Sequence, residues 1–206
     1  MANCCVVDCA ITFMNKEDYE KAKAAFNEAI ESSSETGMFN GNIESLLNYT
    51  GKNTEGISRR CTIAYFMFED DKNTLELSMD CSWCPHFEPI CFFFNYVLGG
   101  EGSECDSRLY DMVYTACEPN EGIYESNDPQ VVDKYTVYAE AEELEEFCEK
   151  YDMSSAEELK RGLEELLGYS GTVDDLIKDI MEKSDDNDWY LSINKYEYMP
   201  ISEWGV

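Results

Sequence analysis

The sequence predicts an α+β protein: a split β-α-β antiparallel sheet of the ferredoxin-like kind over residues 1–125, followed over 126–206 by a strand, three acidic amphipathic helices and a final strand. Three observations predict it. In the first half, runs rich in Val, Ile and Phe alternate with helical patterns in the order β, α, β, β, short α or loop, β. In the second half, apolar residues recur at three- and four-residue spacing while acidic ones fill the remaining positions, so the added helical segment is acidic and packed along its apolar stripes. Finally, 206 residues that are 44% hydrophobic and 13% aromatic can bury a core, whereas disordered acidic chains are short of aromatics. Two small domains or one continuous domain both fit that length.

Each element has a local reason. Cys5 to Met14 is a β run, and Lys16 to Ile30 sets Tyr19, Ala22, Phe26, Ala29 and Ile30 on one side of a helix that Ser32 to Ser34 and Gly37 break. A short helix around Ile43 to Tyr49 leads to a strand, Cys61 to Phe68, and Asp70 to Asn73 turns it into Thr74 to Asp80, a hairpin. Pro85 and Pro89 interrupt a helix before the aromatic run Phe92 to Tyr96. The Gly-rich stretch from Gly99 to Gly102 then loops on to strands near Leu109 to Ala116 and Tyr135 to Ala139. In the first acidic helix Leu144, Phe147, Cys148 and Tyr151 form the stripe, with Glu142, Glu143, Glu145, Glu146 and Glu149 around the rest of the turn. Ser155 and Glu158 read as a capping box for the second, whose stripe is Leu159, Leu163, Leu166 and Leu167, with Glu157, Glu164 and Glu165 outward and Gly168 as the stop. The third begins at Thr172, buries Val173, Leu176, Ile177, Ile180 and Met181, and places Asp174 and Asp175 at the positive end of its dipole. Asp185, Asn187 and Asp188 turn the chain into a final strand from Trp189 to Tyr198. Residues 44–51 and 164–171 echo one another, each expected to end a helix before a strand; a shared helix-stop chemistry accounts for the echo as cheaply as duplication.

Charge narrows the function classes. The chain carries 44 acidic and 15 basic side chains, a net charge of -29, and residues 104–206 hold 28 of the acids against 8 basic groups. So much charge of one sign costs self-repulsion and serves solubility or attraction to a basic surface. It disfavours direct binding to nucleic acid, since phosphates are repelled and Arg59-Arg60 is the one basic doublet of the first half. The N-terminus has no basic region followed by an apolar run, and the longest apolar candidate, Ile90 to Val97, is far short of a membrane span, so a cytoplasmic protein of a bacterial host is expected. The ten cysteines then read as reduced thiols packed as small hydrophobes.

Few constellations carry chemistry. Cys81-x-x-Cys84 with His86, the single histidine, has the spacing of half a zinc site, to which Cys5 and Cys9 would have to add thiolates across a sheet; packed thiols are the simpler reading, and no cofactor is expected. As a redox pair, Cys81 and Cys84 lack the position at a helix start that lowers a thiol pKa. A triad would have to use His86, carboxylate pairs are too abundant to single one out, Gly99-Gly100-Glu101-Gly102 lacks the Lys of a phosphate cradle, and Asp185 to Asp188 lacks a calcium loop's central Gly and closing Glu. No enzyme is expected.

The start Met1-Ala-Asn-Cys-Cys leading into a strand, and Cys81-Ser-Trp-Cys-Pro-His86 farther on, resemble the small YubB-type ferredoxin-like proteins of plasmids and phages over roughly residues 1–125, with a departure at Cys4, where those proteins usually carry Trp. The resemblance implies a ferredoxin-like fold and a mobile-element origin, and brings no catalytic residues with it.

What remains is recognition of something basic. Glutamates at helical spacing sit about 5–6 Å apart, a row of charge comparable to a nucleic-acid backbone, and tyrosines among them supply anchors. The expected function is a phage or mobile-element inhibitor that mimics nucleic acid and blocks the basic channel of a bacterial defence nuclease, in the manner of an anti-CRISPR or antirestriction protein. Its expected contact residues are Glu142, Glu143, Glu146, Glu149, Glu157, Glu158, Glu164, Glu165, Asp174 and Asp175. The alternatives are an acidic accessory domain whose charge only solvates it, and a metal-binding module on Cys81, Cys84 and His86.

Overall fold

In the computed structural model, strand β1 (Cys4–Phe13) is the element on which the first part of the chain is built. Cys5, Val7, Cys9, Ile11 and Phe13 are buried and the residues between them are not, the alternation of a sheet covered on one face. The structure describes residues 4–34, 42–119, 122–139, 150–152, 154–186 and 191–204. They fall into two units, Met1–Asp128 with Met199–Val206, and Pro129–Tyr198. The division thus lies after Asp128, not at 125, and the last residues of the chain rejoin the first unit.

In the first unit β1 is followed by α1 (Lys16–Ser34), α2 (Asn42–Tyr49), β2 (Cys61–Glu69), β3 (Thr74–Ser82), α3 (Glu88–Leu98), β4 (Tyr110–Glu118) and β5 (Ile123–Ser126). The strands lie in the order β2-β3-β1-β4-β5, every neighbouring pair antiparallel. α1 starts where the Asn15 side chain accepts the Asp18 N–H at 2.9 Å, and it runs through Ser32 to Ser34, where the sequence reading has it break; Gly37 lies outside the described residues. Three serines are only mildly poor helix formers, and the buried stripe Tyr19, Ala22, Phe26 and Ala29 outweighs them. The expected interruption at Pro89 is also overturned. Pro89 sits in the first turn of α3, where the missing N–H would have no intrahelical partner, and Gly99, in the left-handed region at φ 85°, ends the helix. The core is aromatic: Phe94 meets Phe13 at 5.3 Å and Phe93 at 5.1 Å edge-on and stacks on Phe26 at 6.0 Å, while Phe26 meets Phe66 at 5.1 Å. β5, too short to show a period, is missing from the sequence reading. Behind it the Asn127 side chain continues the ladder of β4, accepting from Tyr114 N–H and donating to the Met112 carbonyl, both at 2.8 Å.

The second unit comprises β6 (Tyr135–Ala139), α4 (Ala156–Leu167), α5 (Val173–Asp186) and β7 (Leu191–Lys195), and a two-residue strand β8 (Glu197–Tyr198) leads the chain out of it. β6 and β7 form an antiparallel pair, and the core is Leu159, Leu163, Leu176 and Ile180 with Tyr151, Leu191 and Ile193. Ser155 caps α4 by accepting the Glu158 N–H at 3.5 Å. The reciprocal half of the expected capping box is not made: the Glu158 carboxylate pairs with Arg161, and the Ser155 N–H donates to the Asp152 carbonyl. Gly168, at φ 81°, stops the helix, and Thr172 caps α5 by accepting the Asp175 N–H. The echo between 44–51 and 164–171 extends to structure in part: both segments end a helix, but only the first is followed by a strand. α2 continues through Tyr49, whereas α4 stops at Leu167 and is followed by another helix. The expected helix over 142–151 falls mostly on residues 140–149, outside those described; Trp189 is outside them too, and the final strand is described from Leu191. Among the described residues no helix is long and apolar enough to cross a membrane.

Candidate functional site

The helices of the first unit supply partners for one face of its sheet; the other face carries Val6, Asp8, Ala10 and Thr12 of β1, Glu76, Ser78 and Asp80 of β3, and Asp111, Val113 and Thr115 of β4, by the period of two. On β2 the register shifts between Ile63 and Tyr65. That bulge reverses the strand's phase. It turns Phe66 and Phe68 toward Phe26 in the core and leaves Tyr65 and Met67 exposed, at 54% and 40%.

The result is a depression of about 360 Å³ on this face, lined by Asp8, Ala10, Tyr65, Glu76, Ser78, Val113, Thr115 and Asp128. The register explains its shape. Ala10 lies directly between Glu76 and Val113, and Asp8 between Ser78 and Thr115, so small residues form the floor and Tyr65, opposite Ser78, forms a wall. Asp8 and Glu76 are diagonal neighbours on adjacent strands, about 7–8 Å apart by sheet geometry. Four cations of the same unit pair elsewhere: Lys23 with Asp70 at 2.6 Å, Arg59 with Glu44 at 2.7 Å, Lys72 with Glu69 at 2.7 Å and Arg108 with Asp106 at 2.7 Å. Asp8 and Glu76 have no ion pair among the described residues. Carboxylates beside an exposed aromatic ring make a receptor for a guanidinium or ammonium group.

The carboxylates singled out from sequence fare differently. Glu142, Glu143, Glu146 and Glu149 lie outside the described residues. Glu157, Glu158, Glu164 and Glu165 are on α4, and Asp174 and Asp175 on the first turn of α5. Several are engaged locally: Glu158 with Arg161, Glu164 with Lys160 at 3.8 Å, Glu165 with Lys150 and the Tyr151 hydroxyl, and Asp175 with the Thr172 hydroxyl at 2.7 Å. Lys150 and Tyr151 hold the Glu165 carboxyl below its ordinary value. Glu157 and Asp174 are exposed and form no ion pair among the described residues. Helical spacing reaches Lys160 and Arg161, one turn from Glu164 and Glu158, but not Lys150, fifteen positions from Glu165.

Among the described residues the thiols and His86 do not converge on one point. Cys5 faces Cys81, but Cys9 faces Leu77, four residues along β1 and about 13 Å away by strand rise. His86 Nε2 lies 3.2 Å from the Ser82 carbonyl and 3.9 Å from Cys84 Sγ, and its Nδ1 is 4.0 Å from Glu88. Among the described residues no three His, Cys, Asp or Glu side chains are grouped to hold an ion. Cys81, buried at the end of β3, is held protonated by its hydrogen bond to Cys61 and by burial; burial also raises Cys84. Both shifts run against the thiolate character that a redox pair needs. What sequence reasoning missed is the depression: Asp8, Glu76 and Tyr65 are ordinary strand residues until the sheet assembles them. Comparison of the chain with known protein families, with curated proteins and with solved structures finds no match.

Proposed function

We propose that this chain is a non-enzymatic acidic binding protein that attaches to the basic surface of a nucleic-acid-binding partner, acting as a nucleic-acid mimic of the kind a phage or other mobile element directs against a bacterial defence nuclease. The observation that carries the reading is the carboxylate excess, -29 overall, together with a depression in which Asp8, Glu76 and Tyr65 meet with no cation of the chain paired to Asp8 or Glu76 among the described residues. Electrostatic attraction of this kind sets partner choice and on-rate, and the aromatic wall adds contact that charge alone does not. We read the first unit as ferredoxin-like; what supports this is that, with α2 inserted after α1 and β5 added after β4, its elements follow in the order β-α-β-β-α-β, with strands ordered β2-β3-β1-β4, all antiparallel.

The ion pairs on α4 favour a second reading, an accessory domain whose acidity solvates it, because glutamates neutralised by their own helix are what a solvated surface helix needs. One experiment separates the two. The tagged chain is exposed to lysate of a bacterial host and eluted with a salt gradient. The mimic reading expects one nuclease or nucleic-acid-binding complex, released at raised salt and displaced by its own DNA or RNA. Charge reversal identifies the face: Asp8→Lys with Glu76→Lys weakens capture if the sheet is used, and Glu157→Lys with Asp174→Lys if the helices are. Capture that ignores salt, or none, overturns the mimic and leaves the solvated domain.

A further inference from the structure

We propose that Cys91 and Cys105 are a redox-active dithiol, a modification site at which a low-molecular-weight disulfide such as oxidised glutathione converts the pair to an intramolecular disulfide tying the loop 99–109 to α3. The geometry comes from Asn95. Cys91 and Asn95 are one turn apart on the same face of α3, and Asn95 is fully buried. Its Nδ2 donates to the carbonyls of Glu101 at 3.3 Å, Gly102 at 3.2 Å and Glu104 at 2.8 Å; its Oδ1 accepts the Tyr110 hydroxyl at 2.9 Å, and its carbonyl accepts the Gly100 N–H at 2.7 Å. This clasp lays the loop along the helix, so the residue after Glu104 comes to lie over Cys91, and the two thiols are hydrogen-bonded to each other. Gly100 packs closely here: a Cβ there would stand 2.7 Å from Leu109 Cδ1, so that side chain would have to shift.

A second hydrogen-bonded pair, Cys61 and Cys81, provides the contrast. Both of its members are buried and lie opposite one another on β2 and β3. Cys105 is half-buried in a loop whose residues are largely exposed. The hydrogen bond from Cys91 lowers the pKa of the Cys105 thiol and, with burial, raises that of Cys91. A half-exposed thiol on a loop, hydrogen-bonded to a buried thiol on the helix beneath it, is the arrangement of an attacking and a resolving cysteine.

The chemistry is two exchanges. The Cys105 thiolate attacks one sulfur of the small disulfide, forming a mixed disulfide and expelling one thiolate. Cys91 then loses its proton and attacks Cys105 Sγ, forming the protein disulfide and expelling the second thiolate. Both expelled thiolates take up the protons that the cysteines lost, so two protein thiols are oxidised and one small disulfide is reduced to two thiols.

The test treats the folded full-length chain with oxidised glutathione, quenches with acid, and measures intact mass and the peptide map. Expected are a chain lighter by a pair of hydrogen atoms with a Cys91–Cys105 link, and labelling of Cys105 at least about tenfold faster than of Cys84 or Cys117. Cys91→Ser should stall with glutathione on Cys105, and Cys105→Ser should yield no link at Cys91, circular dichroism confirming that both are folded. A Cys61–Cys81 link appearing first, a mixed disulfide that persists at Cys105 in the unaltered chain, or oxidation only under denaturing conditions would overturn the proposal.

Discussion

Among the described residues the first unit buries 28 hydrophobic side chains in one cluster and the second buries seven, yet the second carries the denser charge: 20 acidic and 7 basic groups on its 70 residues, against 24 and 8 on the other 136. A large aromatic core has many contacts over which to spread a defect. A small helix-hairpin core under self-repulsion has few, and depends on caps, stops and ion pairs that the larger unit needs less.

Four substitutions or conditions break or sharpen that contrast, the largest effect first. Phe94→Ala removes a ring that touches Phe13, Phe26, Phe93 and Tyr110, and should cost about 3–5 kcal/mol in denaturant unfolding of the first unit. A loss below about 1 kcal/mol would mean that the ring cluster is not what holds the unit. Leu163→Ala, fully buried on α4, should cost about 2–5 kcal/mol and unfold the second unit while the first persists. Hydrogen exchange would show it as amides of 154–186 losing protection while β1 and β3 keep theirs; one cooperative loss across both units would refute their independence. Ser155→Ala deletes the N-cap of α4 and should cost about 1 kcal/mol, read as a lower thermal midpoint for the second unit, with Ser155→Gly milder.

The smallest effect is in pH. Hydrogen bonds from Lys23 and Tyr19 hold the Asp70 carboxyl below its ordinary 3.8. A carboxyl whose pKa is lower in the folded state contributes stability that is present above the unfolded value and is lost as pH falls through the folded one. Asp70→Asn should therefore flatten the acid limb of the first unit's stability below pH 3.8 and leave neutral-pH behaviour of the second unit unchanged. An unchanged acid limb would show that the Lys23 and Tyr19 contacts are not kept in solution.

Much of the local structure was legible. β1 was legible as a strand because Val, Ile and Phe fill it, though not its alternation, since Cys4, Val6 and Ala10 on the other face are apolar too; α4 was legible because Ser155, its leucine stripe and Gly168 mark start, face and stop within a single stretch of chain. Pro89 was misread because the same residue that breaks a helix interior is harmless in a first turn, and its position in the turn depends on where the helix begins. The candidate site was scarcely legible: the outward glutamates of α4 followed from spacing, while Lys150, fifteen positions from Glu165, did not.

The sequence by itself determined the strand β1, the stripes and starts of α4 and α5, the stop of α4 and the carboxylate excess, since each depends on residue type and on neighbours within a turn or two. Only the tertiary structure decided the rest. The bulge that turns Tyr65 outward, the register that brings Asp8 beside Glu76, and the clasp of Asn95 that lays Cys105 over Cys91 all arise from backbone hydrogen bonds and packing between segments far apart in the chain. No local period encodes which distant segment a strand or loop will meet; that choice is made by the burial and hydrogen-bond satisfaction of the whole fold.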